Sequence, residues 1–535
     1  MPALLRGLFA LPILTAPELA AQTLPKTTPE RSNYAATSTN DEVGAFLDSL
    51  QLAGAPMAVS ELGRTALDRP IYFVIASDPT VTFPREAAAA GKLVVYLQAN
   101  IHGGEVEGKE AVLAVLRELA GPRRDLLQQL VILAAPDYNP DGNDALGPQA
   151  VNRSEQNGPE LVGRRADGLN LDLNRDYFKA EAPETRASLA RVYDAWDPAL
   201  MVDLHTTDGT LHGYNLTYAP PLDPNGPAGP TDFVRNQMLP ALRKTLQDKY
   251  REPIFDYGNV ETPLDPKSWD TYAPLGWYGT NYVGLRGRMA ILSEAYSHDD
   301  FRPRVRVTHD FLVEILSYAS LHADEIRRIE READRLTTLE GTRLAPRPGL
   351  AVAYKLAGRG VEPVALEVMK QLRTFRLPIN DRFVDSVTRP LPAGYFVPAA
   401  EGDVAALLRL HGIQVQRLGA AWTDTVGVLT GTQLKWAAQQ FQGHHLLEVT
   451  GTWASVVRTI PAGAYFVSTA QPLGRLVFAL LEPEGYGLAR WGVFDRLLGA
   501  ESGALSGLVY GASAVGEFPV WRAGRAPRTP MRLLL

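Results

Sequence analysis

The 535-residue sequence contains no cysteine. Disulfides and thiolate-held metals are therefore excluded, and any metal site must be built from His, Asp or Glu. No stretch reaches the roughly 18 consecutive apolar residues that a membrane-crossing helix requires, so stable membrane insertion is not expected. Charge of one sign is not concentrated either. The net charge is -7 with both signs interspersed, and neither a basic stripe nor a polybasic tail points to nucleic acid or to an anionic lipid surface. Internal repeats and low-complexity blocks are also missing.

What is present is ample apolar material, 45% of the residues, in a chain long enough for more than one domain. The first 21 residues have the pattern of a secretory signal: Arg6, the apolar run from Leu8 to Leu14, then small residues ending at Ala20-Ala21. The expectation is export, to the periplasm or the medium. Residues 22–40, rich in Thr, Pro and Ser, read as a linker.

From residue 41 to about 340, short apolar runs alternate with helical patterns. The runs at Leu93, Leu130, Leu200 and Met289 are apolar on both faces, and Ala111, Val112, Val115, Leu116 and Leu119 recur at helical spacing. This argues for an α/β fold, a doubly wound, mixed or mostly parallel sheet flanked by helices. Its last helix is expected over residues 305–337. Near the Pro- and Arg-rich residues 343–349 the pattern shifts. Residues 350–520 read as a smaller β-rich or α+β C-terminal domain with one helix at 402–410, and residues 521–535 as a poorly ordered tail.

Four polar segments follow or end predicted strands. The first is Asn100-Ile-His102-Gly-Gly-Glu105, where a His and a Glu three apart can aim at one point. The second is Asp203-Leu-His205, the third Asp172-Leu-Asn174-Arg175, and the fourth the carboxylate Glu294, closing the apolar run Met289-Ala-Ile-Leu292. Two histidines and a glutamate are a known catalytic zinc set, and open parallel sheets gather ligands at the carboxyl ends of their strands. His-x-x-Glu alone is a weak motif. A carboxylate such as Glu294 at an apolar strand end is costly unless it is paired or faces a metal.

In order along the chain stand His102-x-x-Glu105, Asn139-Pro-Asp-Gly142, Asp172-x-Asn174-Arg175, His205 and Glu294. Taken together they resemble the carboxypeptidase A-like zinc carboxypeptidases, in particular exported bacterial members with a C-terminal extension. The resemblance implies one Zn2+ held by His102, Glu105 and His205, with Asp172 orienting His102. It implies that Asn174 and Arg175 grip the terminal carboxylate of a peptide substrate and that Glu294 is the general base. It also implies an arginine for the oxyanion, for which Arg153 is the first choice and Arg164 and Arg165 are rivals. The mobile tyrosine it calls for is assigned to Tyr282, with Tyr272 and Tyr278 as alternatives. The residue that sets side-chain preference cannot be aligned, and oligomeric state cannot be read.

His212, His298 and His309 match no position and read as structural, as do His444 and His445. Two further functions share the same residues. One is a zinc amidase or deacylase acting on N-acyl amino acids or cell-wall peptides. The other is a non-catalytic peptide or glycan binder, against which the presence of Glu294 counts.

Overall fold

A computed structural model describes residues 24–342, 347–498 and 515–534. The expected signal segment, 1–21, lies outside them. Among the described residues no helix is long and apolar enough to cross a membrane.

In the strand Leu93–Ala99, Val95, Leu97 and Ala99 join one apolar cluster while Tyr96 joins another. The two-residue period of a strand puts neighbours on opposite faces, so both faces must be covered. The strands are β1 Met57–Arg64, β2 Pro70–Ala76, β3 Leu93–Ala99, β4 Leu130–Ala135, β5 Leu200–Thr206, β6 Leu216–Ala219, β7 Ile254–Asp256 and β8 Met289–Ala295. They form an eight-stranded sheet in the order β1-β2-β4-β3-β5-β8-β6-β7. Its centre, β4-β3-β5-β8, is parallel, and antiparallel pairs flank it. The fold is the mixed α/β sheet expected from the sequence.

One face is covered by the helices Asn40–Leu52, Glu107–Leu119 and Phe301–Leu321, whose apolar stripes pack on Val95, Leu97 and Val202. The other face is covered by Tyr177, Tyr193 and Tyr282, and also by residues far along the chain. Tyr395, Leu408, Phe478, Trp491 and Phe518 belong to the same continuous core. The C-terminal part is β-rich. A second eight-stranded sheet includes the long hairpin strands Trp422–Trp436 and Leu447–Ile460, and helices Gly402–Leu410 and Gly474–Leu481 accompany it. Polar ties add to the shared core. Arg286 donates to the His411 carbonyl at 2.7 Å, and Asn225 Nδ2 donates to the Ala351 carbonyl at 2.8 Å.

Several local expectations need correction. Residues 24–40, expected as a linker, are docked on the sheet's helices. The buried Glu110 carboxylate accepts from Thr37 Oγ1, Ser38 N and Ser38 Oγ at 2.7–2.9 Å, and the Ser/Thr content serves that buried charge. The expected tail contributes strands Trp521–Ala523 and Met531–Leu533. It is anchored by Arg522, which pairs with the buried Glu482 and lies 3.4 Å from the Trp453 ring centroid. The single helix expected over 305–337 is two, Phe301–Leu321 and Ala323–Thr342, meeting at His322.

Because the core is shared, Phe478→Ala should cost about 3–5 kcal/mol, the usual range for emptying a buried aromatic site. In denaturant titrations the loss should appear as one earlier transition common to both halves. A separate early transition confined to the C-terminal part would contradict this reading.

Candidate active site

The parallel pairing of β5 and β8 puts His205 directly opposite Glu294. The paired strand β3 ends at Ala99, and Asn100 then turns the chain with a φ of +61°, a left-handed conformation that asparagine tolerates better than most residues. That turn delivers His102 and Glu105 to the same end of the sheet. Gly103 and Gly104 are there for close approach. A Cβ at Gly103 would stand 2.2 Å from the Gly142 backbone, and one at Gly104 would stand 2.6 Å from the Gly163 carbonyl. Asn139-Pro-Asp-Gly142 is thus the support beneath the turn. Asn139 accepts from Gly142 N at 2.9 Å and donates to the Ile101 carbonyl at 3.1 Å.

One ligand atom from each of His102, Glu105 and His205 lies within 4.8 Å of the others, and all three residues are buried. Among the described residues no other group of His, Cys, Asp or Glu meets that condition. His102 Nδ1 lies 2.9 Å from Glu105 Oε1, and His205 Nδ1 lies 3.0 Å from Glu105 Oε2. The other ring nitrogens face carboxylates: His102 Nε2 is 3.1 Å from Asp172 Oδ1. His205 Nε2 is 3.2 Å from Asp203 Oδ2, an ion-pair contact without hydrogen-bond alignment. Each imidazole therefore has one nitrogen turned inward and one held from behind, the arrangement of metal-ligating histidines. Asp203 is in turn fixed by Gln98 Nε2 at 3.1 Å. The donor set and its spacing fit a zinc ion.

Electrostatics follow from burial and pairing. Burial alone would raise Glu105, but His102, Arg153 and His205 hold it well below the usual carboxylate range. Burial would lower His205, but Asp203 and Glu105 hold it well above the ordinary imidazole value. Burial likewise opposes ionisation of Asp172, and His102 and Arg165 overcome it, keeping the group low. Glu294 goes the other way. Burial pushes it up to about 8, with His205 opposing and Glu105 adding to the rise.

His102, Glu105, His205 and Glu294 line a cavity of about 360 Å3 together with Asn174, Arg175, Arg153, Arg165, Tyr257, Tyr272 and Tyr278. Arg175 lies over the Tyr278 ring at 4.5 Å, and its Nη1 is 3.8 Å from Asp172 Oδ2. Asn174 Oδ1 accepts from Gly279 N at 2.9 Å. Arg153 donates to Glu105 at 2.9 Å, and Arg165 pairs with Asp172 at 2.8 Å. Arg164 instead reaches the Asp167 carbonyl and does not line the cavity.

Tyr282 is not a cavity residue. It is fully buried, its hydroxyl bonded to His411 and Arg286. On the helix Gly279–Leu285 it lies two positions from Thr280, about 200° around at 3.6 residues per turn, so Thr280 faces the cavity and Tyr282 faces the core. Tyr272 and Tyr278 are the tyrosines from the sequence shortlist that the fold brings to the cavity. His212 packs 4.3 Å from the Tyr296 ring, His309 lies between Glu118 and Asp310, and His444 and His445 occupy the hairpin connection, not a strand. Asp203 was missed as an orienting group. Its position two residues before His205 on a strand, hence on the same face, was the available signal.

Residues 43–254 match the zinc carboxypeptidase family, Peptidase_M14. This domain is a zinc carboxypeptidase domain. The chain is similar to carboxypeptidase 2 of Trichophyton rubrum, 24% identical over 486 residues that cover 83% of this chain and 82% of that one. It is also similar to mouse carboxypeptidase D, 24% identical over 276 residues, 46% of this chain and 19% of that one. Among solved structures, a metallo-carboxypeptidase from Burkholderia cenocepacia is 18% identical over 54% of this chain and 70% of its own, with a TM-score of 0.39. The protein is accordingly a peptidase, a hydrolase.

Removing the support behind one ligand should be felt by the metal. Asp203→Asn should weaken zinc binding about 10- to 100-fold, measured by competition with a chromogenic chelator. An unchanged affinity would show that Asp203 does not orient His205.

Proposed function

We propose that the protein removes the C-terminal residue of peptides, with one zinc ion held by His102, Glu105 and His205 and with Glu294 as general base. The observation that carries this reading is the cavity in which that triad, Glu294 and Arg175 face one another. A zinc ion bound there would polarise the scissile carbonyl and acidify a water molecule. Glu294 takes the water proton as the new C–O bond forms, then passes it to the amine nitrogen as the C–N bond breaks. Arg175 and Asn174 hold the free terminal carboxylate, for which a planar guanidinium offers two parallel hydrogen bonds. Arg153 or Arg165 stabilises the oxyanion; the cavity contains both, and Arg153 is nearer the triad through Glu105. Asp172 and Asp203 keep the two imidazoles turned inward. Tyr272 or Tyr278 takes the place first assigned to Tyr282. The expected signal segment supports action outside the cytoplasm.

Glu294→Gln should retain zinc and lower kcat by at least about 10^3-fold, within the range for a positioned general base. Arg175→Ala should lower kcat/KM about 10- to 100-fold for peptides with a free C-terminus, as expected for loss of a charged hydrogen bond. C-terminally amidated peptides should be poor substrates of the parent, and equal cleavage of both would replace the exopeptidase reading with an amidase.

The base must be ionised to act, so kcat/KM should rise with pH through the Glu294 pKa and be lost below it. A bound cation lowers that pKa. The acid limb should therefore fall between the ordinary 4.5 and about 8, read from a pH–rate profile.

A further inference from the structure

The connection between the long strands Trp422–Trp436 and Leu447–Ile460, residues 437–446, leaves the C-terminal sheet and reaches the loop that carries Asp172, Asn174 and Arg175. Gln442 Oε1 accepts a hydrogen bond from the Asp172 backbone N–H at 2.7 Å. Gln442 itself has a φ of +51° and is followed by Gly443 at +80°, a tight turn that holds a non-glycine residue in a costly conformation. The contact is braced on both sides. His444 Nε2 lies 2.8 Å from Glu181 Oε1. The Phe441 and His444 rings pack against Trp491 with centroids 6.0 and 5.6 Å away, and the Lys179 ammonium lies 5.5 Å from the same indole.

Asp172 is the branch point of the site. Its carboxylate meets His102 Nε2 at 3.1 Å, Asn174 N at 2.9 Å and Arg165 at 2.8 Å. A displacement of its main chain would move a metal ligand and the carboxylate-gripping pair together. We propose that Gln442 is a positioning residue of the active site. From the C-terminal sheet it fixes the Asp172 main chain, and thereby the register between His102 and the Asn174-Arg175 pair. The C-terminal region is then a working part of the catalytic unit. This rests on the zinc carboxypeptidase reading of the cavity.

The test compares Gln442→Met, similar in length but with no oxygen acceptor, with Gln442→Glu, which keeps one. In the full chain, zinc affinity is measured by chelator competition, KM and kcat on a peptide with a free C-terminus, and Tm by thermal unfolding. Gln442→Met should weaken zinc and raise KM about fivefold each, the factor equivalent to the net worth of about 1 kcal/mol for one hydrogen bond. Tm should stay near that of the parent, and Gln442→Glu should restore most of both losses. Values for Gln442→Met within twofold of the parent would overturn the proposal, as would a Gln442→Glu variant as impaired as Gln442→Met. The zinc measurement does not depend on turnover. A parent that binds zinc but leaves free peptides intact would defeat the carboxypeptidase reading while still allowing Gln442 to be judged.

Discussion

Holding a glutamate and two imidazoles out of water, within 4.8 Å of one another, is expensive, and much of the surrounding structure answers that expense. Buried ionisable groups persist only when they are paired or bind a metal. Asp172 and Asp203 stand behind the two histidines, Arg153 beside Glu105, and Gln98 behind Asp203. The parallel pairing of β5 with β8 then sets Glu294 across from His205. A carboxylate there is pushed upward by burial and by Glu105, the direction that makes a better proton acceptor once a cation restrains it.

The same constraint explains the backbone around the ligands. The turn after β3 can approach the support at Asn139-Pro-Asp-Gly142 only because Gly103 carries no Cβ. Asn100 takes the left-handed conformation that starts the turn. The chemistry of the turn lies in His102 and Glu105, and its geometry lies in the residues between and beneath them.

The C-terminal region extends this logic across the molecule. Its aromatic residues help fill one face of the eight-stranded α/β sheet, and Glu482 holds the strand Trp521–Ala523 through Arg522. A region that shares a core with the catalytic sheet transmits its own placement to the loop it touches. The contact from Gln442 to Asp172 is where that transmission reaches the site.

The sequence by itself determined the parallel centre of the sheet, because runs apolar on both faces have few other destinations. It also determined the candidate metal triad and the order of the motifs, because ligand chemistry is written in residue type and short spacing. It misled wherever long-range contacts decided the outcome. Residues 22–40 read as a linker until the buried Glu110 supplied Thr37 and Ser38 a partner, and the final residues read as a loose tail until Glu482 claimed Arg522. Tyr282 lost its assigned place because helical phase at Gly279–Leu285, set by packing against Tyr177 and Tyr193, turned Thr280 to the cavity instead. Asp203 behind His205 was legible from the two-residue strand period, whereas Gln442 beneath Asp172 came from tertiary structure alone, since nothing local marks which distant side chain will reach a given main-chain group.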